Sequence, residues 1–119
     1  MYTSRKFEML CREFLNQEEK LMCWKAGEYT NNDDRLKNFN MVAGFLGVSP
    51  ADVALTYLLK HIQSVTLAVK SKNYKWEWET ENGEGLKQRI ADARNYLLLL
   101  AACIDEEVVK TNGSQHIDK

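Results

Sequence analysis

Over residues 85–110 the apolar side chains Leu86, Ile90, Ala93, Leu97, Leu100, Ala101, Ile104 and Val108 recur at steps of four and three residues. Only an α-helix gathers such a series on one side. The run Leu97-Leu98-Leu99-Leu100 is apolar all round, which predicts burial on more than one side. Three further stretches share the period. Residues 3–25 carry Phe7, Leu10, Cys11, Phe14, Leu21 and Met22, with Thr3 or Ser4 as the cap and Gly27 near the end. Residues 34–46 form a short helix with Phe39, Val42, Ala43 and Leu46 inward, closed by Gly47. The third begins on the strongest start signal in the chain, Ser49-Pro50-Ala51-Asp52: a cap, a proline at the first helical position and an acid in the first turn. Its stripe of Val53, Ala54, Tyr57, Leu58, Ile62, Val65, Ala68 and Val69 runs to about Lys72.

Between these stretches lie a polar connector, residues 28–34, and an irregular segment, residues 73–85. The alternation Trp76-Glu77-Trp78-Glu79 suits a short strand or hairpin arm, but one such run cannot build a sheet. The expected fold is all-α: a four-helix bundle with a short irregular or hairpin-like excursion between the third and fourth helices. A single helical domain is expected over residues 1–110, followed by a polar tail over residues 111–119.

Composition excludes several classes of function. The 119 residues carry 16 Lys+Arg and 17 Asp+Glu, a formal net charge of −1, which lacks the basic excess of a protein that binds the nucleic-acid backbone. No run of about 18 apolar residues offers a membrane span, and the charged N-terminus lacks a signal-peptide core. Three cysteines, Cys11, Cys23 and Cys103, show no metal-ligand pairing and read as reduced thiols. A soluble, cytoplasmic protein is expected. The aromatics and the all-round apolar run predict a homo-oligomer.

Polar residues on apolar faces are the informative signal in such a chain. Glu18 lies four residues after Phe14 and three and four before Leu21 and Met22. His61 follows Tyr57 and Leu58 by a turn and precedes Val65 and Ala68. Asp92 shares its face with Tyr96 and Leu99, beside Asn95 and one turn after Arg89. A lone buried carboxylate costs several kcal/mol or neutralises, so these groups meet one another, a metal or a ligand. Simpler arrangements stand beside that one: Glu18 paired with Lys25 or Lys60, His61 bonded to a backbone carbonyl or to Tyr57, and Asp92 in a network with Arg89 and Asn95 on its own helix. The connector cluster Glu28, Asp33, Asp34, Arg35 and Lys37 suits either binding or a solvated turn. Tyr74, Trp76 and Trp78 offer faces for stacking a base, or cover for one end of the bundle. No P-loop, GxGxxG, HExxH, CxxC or GxSxG motif is present.

Gly27-Glu28-Tyr29, the Asn/Asp-rich connector, Asn38-Phe39, Ser49-Pro50, Lys60-His61 and Asp92-Ala93-Arg94-Asn95-Tyr96-Leu97 occur in an order that resembles small helical bacteriophage proteins. Those proteins are similar to the all-α nucleoside-triphosphate pyrophosphatases, the MazG-type enzymes and dimeric dUTPases. The resemblance covers about residues 5–108 and implies an oligomeric helical bundle with a nucleotide between helices. It implies Mg²⁺ held by carboxylates, with Glu18 or Glu19 and Asp92 as the matching ligands. Lys60, Arg89 or Arg94 would face phosphate oxygens, and Asn95 a base or ribose. The chain departs from the family's pattern at two acidic positions: Leu21 and Met22 stand where the first motif has its second glutamate, and Arg89 stands three residues before Asp92. An arginine in place of a ligand favours direct anion binding over metal binding. The expected function is nucleotide binding at Glu18, Lys60, His61, Arg89, Asp92 and Asn95, with weak or absent hydrolysis. The alternatives are sequestration of a cyclic-nucleotide or ADP-ribose-derived immune signal, and a protein-interaction inhibitor of a host defence factor using the acidic, tryptophan-bearing segment.

Overall fold

The computed structural model describes residues 1–28, 34–72 and 74–112, with side chains in the first of these ranges described as far as residue 20. The chain is all-α, with four helices among the described residues, and divides into two units, Met1–Arg35 and Leu36–Lys119. The connector over residues 29–33 and the polar tail beyond residue 112 lie outside the described residues, as do the side chains of Leu21, Met22 and Lys25.

The first unit is built on α1, Ser4–Glu28. Of the two candidate caps, Thr3 serves: its Oγ1 accepts from the Lys6 backbone N–H at 3.1 Å, and its carbonyl accepts from Phe7 N–H. Phe14 and Glu18, one turn apart, are buried, and Glu8 and Arg12 pair at 3.1 Å on an exposed face.

In the second unit α2, Lys37–Leu46, starts three residues later than the sequence suggests. Leu36 turns inward and is buried at the cap position, so the chain bends there before helical hydrogen bonds begin. The helix closes on Gly47 at φ 72°, whose N–H reaches the Ala43 carbonyl. Leu46, expected inward, is exposed. Phe39 and Ala43 set the buried face, and the last turn overshoots it.

The start signal of α3, Pro50–Ser71, folds as read: Ser49 Oγ accepts from Asp52 N–H, and the Asp52 carboxylate accepts from Ser49 N–H, both at 3.1 Å. Next comes a two-stranded hairpin, β1 (Glu79–Thr80) and β2 (Gly83–Glu84), antiparallel with Glu79 opposite Glu84. The expected arm over residues 76–79 reaches strand form only at Glu79. The Lys75 carbonyl explains this: it accepts from both Glu77 and Leu86 N–H groups, which curls the segment into a turn. Gly85 then leads into α4, Leu86–Thr111. A Cβ at Gly85 would overlap the Glu77 carbonyl, so the close approach of these two strands of chain requires glycine there.

The core gathers Leu36, Phe39, Ala43, Val53, Ala54 and Cys103 from all three helices of this unit. Phe39, Tyr57 and Tyr96 bind it together by ring contacts at 5.8–6.4 Å. The Cys103 thiol is pushed above its usual pKa by burial and then by Glu106, which keeps it protonated and structural. Several residues expected inward stay exposed: Ile62 and Val69 on α3, and Leu97, Ile104 and Val108 on α4. The apolar stripes on α3 and α4 are broader than the helices of this unit cover. No single helix among the described residues is long and apolar enough to cross a membrane.

Candidate functional site

Helices α3 and α4 run antiparallel, with the hairpin folded back over one end, and the polar residues of both helices meet there. His61 on α3 is half-buried and stacks on the Tyr96 ring of α4, with centroids 4.6 Å apart and planes at 23°. One turn along α3, Ser64 Oγ accepts from the Arg89 guanidinium at 3.2 Å across the helix pair. Asp92, one turn after Arg89, accepts from Gln88 Nε2 at 3.0 Å. A further acidic group comes from β2, where the Glu84 carboxyl lies close to Asp92.

The electrostatics follow from that crowding. Partial desolvation raises the Glu84 pKa above 4.5, and the neighbouring Asp92 carboxyl raises it further. Arg89 and His61 pull the other way without reversing the shift. The Tyr96 hydroxyl is likewise raised, by desolvation first, then Asp92 and Tyr57, so it stays a neutral donor.

Beside this cluster a shallow cleft of about 230 Å³ opens between Ser71, Lys75, Glu84 and Arg89, floored by Ala68 and Leu86. Pockets that enclose a whole small ligand run from about 300 Å³ upward. The cleft is therefore smaller than a pocket that encloses a whole small ligand.

The structure thus brings His61, Arg89 and Asp92 into one neighbourhood. Lys60 stays outside the cluster, exposed, with its Nζ 5.8 Å from the Tyr57 ring centroid. Asn95 is exposed on α4. Glu18 belongs to the first unit, where it is buried. His61 pairs with Tyr96 and not with Tyr57, and Arg89 reaches Ser64 on the facing helix instead of Asp92 on its own. Glu84, Ser64 and Gln88 were invisible as site residues in the sequence. Ser64 and Gln88 sit one helical step from His61 and Asp92, which is a usable signal. Nothing local marks Glu84 among four neighbouring glutamates, because only the hairpin's return aims it at Asp92.

A divalent cation does not fit this donor set. Asp92 gathers one further carboxyl, Glu84, and a guanidinium stands beside them. Among the described residues no three His, Cys, Asp or Glu side chains come together in a way that could hold a metal ion. Trp76, offered as a stacking face, is part-exposed and carries Lys87 Nζ at 5.3 Å from its ring, a cation–π contact within the unit. No protein-family model, curated protein or solved structure matches this chain.

Proposed function

We propose that the chain binds a nucleotide, or a small molecule derived from one, at the hairpin end of the α3–α4 pair, with hydrolysis weak or absent. The observation that carries this reading is the placement of Arg89: half-buried, oriented by Ser64 of the facing helix, and at the edge of a cleft that also holds Lys75. A guanidinium held in one orientation meets a phosphate with paired hydrogen bonds and loses little freedom in doing so. The cleft takes the anionic group, while the half-buried His61–Tyr96 stack next to Arg89 supplies a flat surface for a base. The likeness to phage-encoded relatives of the all-α pyrophosphatases supports the ligand class. Arg89 three residues before Asp92 supports binding without the Mg²⁺ that those enzymes use.

The same site chemistry suits a cyclic-nucleotide or ADP-ribose-derived signal held without being transformed, and a ligand panel separates the two. Calorimetric titration with nucleoside triphosphates, cyclic nucleotides and ADP-ribose, in Mg²⁺ and in EDTA, tests the proposal alongside an assay for pyrophosphate release. Binding is expected to persist in EDTA, to weaken at least roughly tenfold in Arg89→Met, and to be accompanied by little turnover. Binding seen only with Mg²⁺, or none with any member of the panel, contradicts it.

A further inference from the structure

Three kinds of side chain succeed one another along the hairpin end of the α3–α4 pair. Arg89, Asp92 and Tyr96 follow at steps of three and four residues on α4, which keeps them within about 60° of one another around the helix. A rise of about 1.5 Å per residue sets the turn that carries the guanidinium about 10 Å from the turn that carries the ring. The facing residues of α3 keep the same order, Ser64 opposite Arg89 and His61 opposite Tyr96. At one end lies the cleft lined by Lys75 and Arg89, and at the other the half-buried ring stack. Carboxyl groups hold the middle: Asp92 on the helix and, close to it, Glu84, which also lines the cleft.

The order cation, carboxylate, ring is that of phosphate, sugar and base in a nucleotide, where covalent structure puts the sugar between the other two. An ionised carboxylate only accepts, so what it takes from a sugar is hydroxyl protons. Gln88 Nε2 reaches one Asp92 oxygen at 3.0 Å, and a carboxylate offers about four acceptor sites, so capacity remains there. Two neighbouring carboxylates disfavour each other's charge unless donors are set between them. A ribose diol brings two such donors and a 2′-deoxyribose one. Acidic side chains take ribose hydroxyls in the same way in dinucleotide-binding folds.

Resting on the reading that this site binds a nucleotide, we propose that Glu84 and Asp92 select its sugar: the ligand is a ribonucleotide whose 2′ and 3′ hydroxyls donate to the two carboxylates. Glu84 carries the selection most cleanly, because it reaches the site from the exposed hairpin and takes no part in packing α3 on α4.

The test is calorimetric titration in EDTA with the four ribonucleoside triphosphates and their 2′-deoxy counterparts, on the wild type, Glu84→Ala and Arg89→Met. For the tightest-bound pair the wild type is expected to favour the ribonucleotide at least roughly tenfold. In Glu84→Ala that ratio is expected to fall to about twofold or less, through lost ribonucleotide affinity, with the 2′-deoxy form held as well as before. A variant that weakens both forms together and keeps the ratio overturns the proposal, since a folding defect would do the same. Wild-type binding that is equal for the two forms, or tighter for the 2′-deoxy form, and abolished in Arg89→Met overturns it while the nucleotide reading stands. Binding of no nucleotide removes that reading and this proposal with it.

Discussion

The two ends of the α3–α4 pair are built on the same helical period and do opposite things with it. At the α2 end, Ala54 has no exposed surface and Val53 and Cys103 are nearly as closed, packed with Phe39 into an apolar core. At the hairpin end the equivalent steps carry His61, Ser64, Arg89 and Asp92, half-buried: Arg89 bonds Ser64, while Asp92 is met by Gln88 and His61 by Tyr96. Period alone decides that a helix forms and which way it faces. The side chains along it decide whether that face closes as core or stays open as a site. Burial supplies the stability at the first end, and the second keeps polar and charged groups half-open to water.

The largest effect is expected from breaking the closed end. Phe39 is buried against Tyr57 and Tyr96, so Phe39→Ala leaves a cavity beneath both rings. A loss of about 4 kcal/mol is expected in urea denaturation. A loss below about 1 kcal/mol contradicts the placing of Phe39 at the centre of the core.

Next comes the joint that carries Glu84 to the site. Gly85→Ala drives a methyl group into the Glu77 carbonyl, and the hairpin must lift to admit it. The expected cost is about 2 kcal/mol, with faster amide exchange at Gly85 and Leu86, whose N–H groups bond Trp78 and Lys75. Undisturbed exchange at both amides contradicts the close approach.

The smallest effect concerns charge at the open end. The folded-state pKa of Glu84 lies above its ordinary 4.5, so the proton it holds stabilises the fold fully below that pH. That contribution is lost as pH rises through the raised value, leaving an ionised carboxylate beside Asp92 at neutrality. Glu84→Gln is therefore expected to be slightly more stable than wild type at pH 7, by about 0.5 kcal/mol or less given solvent screening, with the difference vanishing below 4.5. Thermal melts across that range check the sign, and a destabilised variant at neutral pH contradicts it.

How much of this was legible in the sequence follows the range of the interactions. The Ser49–Asp52 capping box and the Gly47 turn act over three or four residues and are written in the chain almost directly. The polar positions His61, Arg89 and Asp92 stand out because they interrupt an apolar stripe. Their partners do not: Arg89 finds Ser64 twenty-five residues away, and Glu84 finds Asp92 only because Gly85 allows the hairpin to fold back. Ile62 and Leu97 were expected inside for the same reason that Phe39 was. Period marks a side chain as apolar-facing, while burial needs a neighbour, and the facing helix is too narrow to cover both.

The most direct test of the central claim is a nitrogen–proton shift map of the labelled chain titrated with a nucleoside triphosphate in EDTA. The account predicts perturbations concentrated at His61, Ser64, Glu84, Arg89 and Asp92, abolished in Arg89→Met while the rest of the spectrum stays that of the folded protein. Shifts centred elsewhere on the chain, or a spectrum indifferent to every nucleotide tried, contradict it.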